Sequence, residues 1–333
     1  MQQKIDPHIV VIGGGTGSFT LLSGLKAYSK NITAIVNMAD DGGSTGQLRD
    51  EFGVLPPGDV RQCLVALSDS PKMRDLFNYR FEEGTFKGHA FGNIFLTALE
   101  KMTGSFAEAV DLADEVLNVK GRVVPVTLDN VHLLMRQRKG KDIIGEYKIG
   151  NMRFAMHEQR PVLELSPSTH INAEANDAIK HADIVVIAPG NIYGSLAPAL
   201  LVNGMQGALK NTKAKIVYVC NLVTKPGQTD GFMVHDFADE IERFVGEQVL
   251  DIVLYNTERP DRRLLEMYQR DKEYGVDYDT EALRTKRYSA IGAPLLSRNI
   301  ITGCKADTLA RQRSLIRHDS DKVARQIIKM LDR

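Results

Sequence analysis

The sequence predicts an α/β protein of the Rossmann-like, doubly wound kind: a mostly parallel sheet, helices on both faces, and a small mixed insertion. Three observations predict it. Short, apolar, β-branched runs recur along the 333 residues. Each is followed by a loop rich in glycine or polar residues, and most of those loops lead into a stretch of helical periodicity. Strands with no polar alternation are strands buried on both sides, as in parallel sheets. Such sheets bind ligands beyond the carboxyl ends of their strands.

The first run is Ile9–Ile12, followed by GGGTG and a helical stretch over Thr20–Tyr28. The second, Ile32–Val36, leads into a long loop from Met38. Residues Phe91–Val119 read as two helices with Gly104 between them. Short alternating runs over Arg122–Glu164 break the pattern and read as the insertion, placed around residues 120–165. The third run, Ile184–Ala188, precedes PGNIYGS and a helix over Leu196–Leu209; the fourth and fifth are Ile216–Cys220 and Ile252–Tyr255. The tail Asp319–Asp332 reads as a closing helix capped by Asp319 or Ser320. The chain, 1–333, is read as a single nucleotide-binding domain carrying this insertion.

Composition narrows the function. Lys+Arg and Asp+Glu both number 42, so no basic excess marks a nucleic-acid binder. The basic clusters Arg136–Lys141 and Arg311–Arg317 read as solvated faces. Cys63, Cys220 and Cys304 are scattered and odd in number, which fits neither a disulfide framework nor a thiolate metal site. No run is long and apolar enough for a membrane span, and the N-terminus runs straight into a strand with no signal-peptide pattern. The expectation is a cytoplasmic protein with no nucleic-acid or membrane partner.

The chemistry-bearing residues sit in the loops. Gly13, Gly14, Gly15, Thr16 and Gly17 follow the first strand and open a helix. Glycines let the backbone approach a phosphate, and the helix offers free N–H groups to it. Ser18 stands where the third glycine of a dinucleotide fingerprint would be, which weakens a nicotinamide-cofactor reading. After the second run come Asp40, Asp41, Gly42, Gly43, Ser44 and Thr45. Two adjacent carboxylates there could bond a ribose, hold Mg²⁺ beside phosphates, or accept a proton; Asp41 is the candidate ligand for Mg²⁺. Asp59 reads as a helix N-cap and Arg61 as a phosphate or Asp59 partner, with His89 and Asn93 as further candidates. Gly190, Asn191, Tyr193 and Ser195 repeat the logic of the first loop, and Asn221 opens another at a strand end. No Ser-His-Asp elbow, H-E-x-x-H or phosphate-loop lysine motif is present.

The ordered set IGGGTG, ADDGGSTGQLR, PPGDVRQCL, GHAFGN, APGNIYGS, KPGQTDG and RHDSDKVA resembles the gluconeogenesis factor (YvcK-like) family, a branch of the 2-phospho-L-lactate transferase (CofD-like) superfamily. The resemblance runs from Val10 to about Ile328, with a departure at Asn191–Gly194, where the branch carries a Ser-Leu-Tyr-Thr type of run. It implies a Rossmann-like core that binds a UDP-sugar such as UDP-N-acetylglucosamine and regulates cell shape and wall synthesis on gluconeogenic carbon. On that resemblance Tyr268 and Arg317 contribute to the sugar-nucleotide site. A cell-wall synthesis or regulatory protein would be the partner, and a homodimer is expected. The transferase branch gives the alternative: a Mg²⁺-dependent enzyme acting on a nucleotide-diphosphate donor, with Asp40 or Asp41 catalytic. The chain has no Trp, and no aromatic cradle for a deazaflavin acceptor is visible.

Overall fold

A computed structural model describes residues 6–137, 140–153, 160–298 and 315–331. Cys304, Arg138–Lys139 and most of the Arg311–Arg317 cluster lie outside them. Seven parallel strands form the main sheet: β1 (Ile9–Gly13), β2 (Ile32–Val36), β3 (Arg122–Pro125), β7 (Ile184–Ile187), β8 (Lys215–Val219), β9 (Ile252–Asn256) and β10 (Ser289–Ala293). A three-stranded antiparallel sheet joins β4 (His132–Arg136), β5 (Ile143–Ile144) and β6 (Val162–Ser166).

The strand order is β10-β9-β8-β7-β1-β2-β3. From β1 the chain moves outward to β2 and β3, then returns to β7 on the other side of β1 and proceeds outward to β10. The reversal lies between β1 and β7, which pair from Ile9↔Ile184 to Ile12↔Ile187. Every residue of β1, β2 and β7 is buried, so both faces of the central sheet are covered, as their unbroken apolar runs predict. Burying a Val or Ile side chain is worth about 1.5–3 kcal/mol, and the middle strands consist of little else.

The helices between the strands are α1 (Gly15–Leu25), α2 (Gly43–Phe52), α3 (Pro57–Leu67), α4 (Pro71–Asn78), α5 (Phe91–Thr103) and α6 (Phe106–Leu117). In the second half come α7 (Glu146–Gly150), α8 (Ala173–His181), α9 (Ala197–Leu200), α10 (Met205–Asn211), α11 (Val234–Val245), α12 (Arg262–Arg270), α13 (Thr280–Arg284) and α14 (Ser320–Leu331). A short π-helix, Ile192–Leu196, precedes α9.

Five of the seven strands of the main sheet match the runs read from sequence. Arg122–Pro125, read as part of the insertion, instead adds a strand to the main sheet beside β2. Its three apolar residues are buried there. No apolar run marks β10, which is rich in Ser, Ala and Gly. Gly43–Gly46 is the first turn of α2, where a loop was expected. Pro57 occupies the first turn of α3, which places Asp59 inside the helix instead of at its cap. At the tail, Asp319 is the cap: its Oδ1 accepts from the Asp321 and Lys322 amides at 3.1 and 3.0 Å.

Helix α1 lies against α14 at Gly24, where a methyl would run into the Ser320 carbonyl. Gly24→Ala therefore overpacks a backbone contact that cannot bend away as a side chain does. The expected result is a loss of about 1–3 kcal/mol in urea unfolding, with the denaturant slope unchanged.

Candidate functional site

The glycine loops meet at the carboxyl edge of the sheet, at the reversal between β1 and β7. Gly15 takes φ +63°, a left-handed conformation that a side chain would strain, and this turns the chain from β1 into α1. Gly17 then packs directly on the Pro189 carbonyl, so that any side chain there would collide with it. The first loop and the loop after β7 are thus in backbone contact. Asn221, after β8, extends the rim: its Nδ2 donates to the Gly190 carbonyl at 2.7 Å, and its Oδ1 accepts from the Gly190 amide at 3.3 Å. Asn191 Oδ1 accepts from the Tyr193 and Gly194 amides at 3.2 and 3.3 Å and opens the π-helix.

The second and third motifs close the other side. The Asp59 carboxyl lies against Gly14 and accepts the Gly15 amide. Gly58 packs against Thr45 and the Asp40 carboxyl. Asp40 Oδ1 accepts the Gly42 amide at 3.0 Å, and Arg49 Nη1 donates to the Asp40 carbonyl at 2.9 Å. Arg49 also donates to the Val131 carbonyl at 2.9 Å, which fixes the start of the insertion to this loop. Ser44, Arg61, His89 and Asn93 form one side-chain cluster: Arg61 bonds Asn93, Asn93 bonds Ser44, and Ser44 bonds His89.

The insertion completes the site. Short helix α7 spans the rim, its Tyr147 amide donating to Asp41 Oδ1 at 2.7 Å. Gln228, fully buried, donates from Nε2 to the carbonyls of Ile149, Gly150 and Met152 at 3.1, 2.9 and 2.8 Å. Glu146 lies against Gly194 and Gly150. Nothing in the sequence pointed to Glu146, because it falls in a run read as an alternating strand.

Two expected contacts are differently placed. The Tyr193 ring is fully buried, edge-on to Phe244 at 5.9 Å, with its hydroxyl on Glu240. It anchors the π-helix, and only its backbone faces the rim loop. Glu240 in turn holds Arg160 at 2.9 Å and Arg243, so the approach to β6 is fastened to α11. The Tyr268 ring is also buried, and its hydroxyl accepts from the Leu315 and Ile316 amides at 2.6 and 3.1 Å. It does not stack on a surface; it pins the segment that carries Arg317. Thr16 is exposed at the start of α1, and Ser195 lies within the π-helix.

Arg317 lines a cavity of about 460 Å³ with Glu258, Arg259, Asp261, Leu296 and Arg298, beyond the ends of β9 and β10. The cavity therefore opens on the same edge of the sheet as the glycine loops.

Carboxyl groups crowd the centre. Burial pushes the Asp59 carboxyl up to about 8, and the charge of Asp40 adds to the rise. Burial likewise raises Glu146 to about 8, with Asp40, Asp59 and Asp41 adding to the rise and Lys225 opposing it. Asp40 is raised chiefly by burial, against hydrogen bonds from the Gly42 amide and Thr45. Among the described residues, no group of three or more His, Cys, Asp or Glu side chains is arranged to hold a metal. None of the described helices is long and apolar enough to cross a membrane.

Both Asp59 and Glu146 bind protons more readily folded than unfolded. From about pH 4 to about pH 8 these two groups hold more protons folded than unfolded, so their contribution to stability falls as pH rises across that window. Glu146→Gln should remove one of the two burdens. Its Tm is expected about 2–4 °C above that of the parent at pH 8 and equal to it near pH 4, in thermal melts across the range. A Glu146→Gln chain that keeps the parent's Tm at pH 8 would contradict this assignment.

Comparison with known proteins agrees with this geometry. Residues 9–296 match the family model described as 2-phospho-L-lactate transferase CofD. A Thermotoga maritima relative named "Putative gluconeogenesis factor" is 42% identical over 321 residues, covering 95% of this chain and 96% of its own. The Bacillus subtilis "Gluconeogenesis factor" is 36% identical over 336 residues, covering 99% of each chain. The crystal structure of a Bacillus halodurans protein described as a member of the upf0052 family superposes with a TM-score of 0.86 at 34% identity, covering 98% of this chain and 100% of that one. With its fold, its rim of glycine loops and its near full-length relatives in accord, the chain belongs to the CofD family, among the gluconeogenesis factors.

Proposed function

We propose that the chain binds a nucleotide-diphosphate sugar, of the UDP-N-acetylglucosamine type, along the carboxyl edge of its sheet. The bound state would regulate cell shape and wall synthesis during growth on gluconeogenic carbon. The observation that carries the binding reading is the convergence of the loops after β1, β2 and β7 on the sheet's reversal point, with the Arg317 cavity on the same edge. Ligands of open α/β sheets bind at such crevices. Backbone amides at the starts of α1 and α2 suit a diphosphate. The reversal and the β9–β10 boundary are three strand spacings apart, about 14 Å. An extended nucleotide-diphosphate sugar can bridge that span, with Arg317 on a charged or sugar group at the far end.

The transferase reading draws on the same edge. Mg²⁺ is commonly held by one or two carboxylates together with a ligand's phosphates. Asp40 and Asp41 supply hard oxygen donors of that kind, and an ion there would offset the charge between them and a diphosphate. The regulatory reading also needs a partner that senses occupancy; a cell-wall synthesis or regulatory protein, reached by the monomer or by a homodimer, fits that place.

A calorimetric and thermal-shift panel of UDP-N-acetylglucosamine, UDP-glucose, a GDP-sugar and NAD tests the proposal. UDP-N-acetylglucosamine should stabilise the fold by about 2.7 kcal/mol at a hundredfold excess over Kd, and NAD should leave it unchanged. Arg317→Ala should weaken binding roughly 10- to 100-fold without lowering the Tm of the unliganded chain. Preference for NAD, or an affinity untouched by Arg317→Ala, would sink the respective half of the assignment.

A further inference from the structure

Side chains from three motifs that are separate in sequence meet in one hydrogen-bonded chain. Arg61 Nε donates to Asn93 Oδ1 at 2.8 Å, and its Nη1 donates to Asn78 Oδ1 at 2.6 Å. Asn93 Nδ2 donates to Ser44 Oγ at 3.1 Å. Ser44 Oγ lies 3.0 Å from His89 Nδ1. Arg61, Asn93 and Ser44 are 4%, 3% and 8% exposed, so water does not compete for most of these bonds.

The protons of the chain can be assigned from one end. A guanidinium has donors and no acceptor. The Asn93 oxygen must therefore face Arg61, which turns its nitrogen toward Ser44. That nitrogen donates, so Ser44 Oγ accepts there and its own proton needs a different acceptor. Among the described residues, His89 Nδ1 is the group in place to take it. Ser44 is also the second residue of α2, where the helix's partial positive charge favours a developing alkoxide. A hydroxyl placed between a fixed donor and an imidazole acceptor has the parts of an activated nucleophile. A sequence separation of 45 between Ser44 and His89 hides the pair from any local motif.

We propose that Ser44 is a nucleophile toward the diphosphate of the bound nucleotide sugar, with His89 as its general base; this rests on the binding reading above. Ser44 Oγ attacks the phosphorus that carries the sugar, and its proton passes to His89 Nδ1. The Oγ–P bond forms, the bridging P–O bond breaks, and nucleoside monophosphate leaves with the electron pair. Water then attacks the same phosphorus. The Oγ–P bond breaks, His89 returns the proton to Ser44, sugar phosphate departs, and the water's protons pass to solvent. Arg61 and Asn93 are positioning residues that set the direction of the Ser44 hydroxyl.

The test incubates the full-length protein with UDP-N-acetylglucosamine, quenches in acid, and follows intact mass, the Ser44 peptide and released UMP. A sugar-phosphate adduct on Ser44, with release of UMP, is the expected result. Ser44→Ala should lose both. His89→Gln, checked for folding by its thermal melt, should slow UMP release roughly 100-fold or more. Ser44→Cys should carry the adduct on its thiol. If the wild-type protein binds UDP-N-acetylglucosamine in calorimetry yet gives neither adduct nor UMP, the nucleophile is disproved and the binding reading stands. UMP release that persists in Ser44→Ala also overturns it. If no nucleotide sugar binds at all, the binding reading fails and the nucleophile falls with it.

Discussion

The site depends on one close approach, that of α1 to the Pro189 carbonyl at Gly17. The sheet reverses its winding between β1 and β7, and helices that follow adjacent strands at such a point diverge and leave a crevice. A side chain at Gly17 would push the two loops apart at the crevice floor. With glycine there, the β1 loop, the β7 loop and Asn221 form one continuous backbone surface. The loops after β2 and before α3 then lock onto it through Asp59 and Gly14. The shape of the rim follows from this backbone proximity before any side chain acts.

The electrostatics of the rim run against ordinary stability. Three carboxyls, Asp40, Asp59 and Glu146, are held where burial and mutual repulsion disfavour their charge. Lys225 is the cation that opposes this at Glu146, and Arg49 opposes it at Asp40. The surrounding structure compensates with polar bonds that leave little freedom. Gln228 spans three carbonyls behind α7, and Arg49 fastens the insertion to the β2 loop. Strain of this kind is common where a fold is shaped for a ligand instead of for its own stability.

Much of this was legible in the residues, and the gaps have physical causes. The five apolar runs showed the sheet because strands covered on both faces need apolar residues at every position. β10 stayed hidden because an edge strand in which only Ala293 is buried tolerates Ser, Ala and Gly. The glycine motifs pointed to the rim because close backbone approach selects glycine. Glu146 was not legible, since its part in the site comes from a five-residue helix whose position is set by distant bonds to Asp41 and Gln228. Tyr193 reads as a phosphate-loop residue and Tyr268, through the family resemblance, as part of the sugar-nucleotide site. The structure uses both as internal posts, one under the π-helix and one beneath the Arg317 segment.

The crowded carboxyls carry a consequence for how any anion enters. A phosphate brought beside Asp59 and Glu146 would make their ionised forms costlier still, so near pH 8, where both are partly ionised, its arrival would draw hydrogen ions out of the surrounding medium. Occupancy and acidity are then linked variables: each proton taken up leaves a conjugate base in the buffer. The heat measured on mixing would include that buffer's own ionisation, and an anion bound in the crevice would be counted together with its protons.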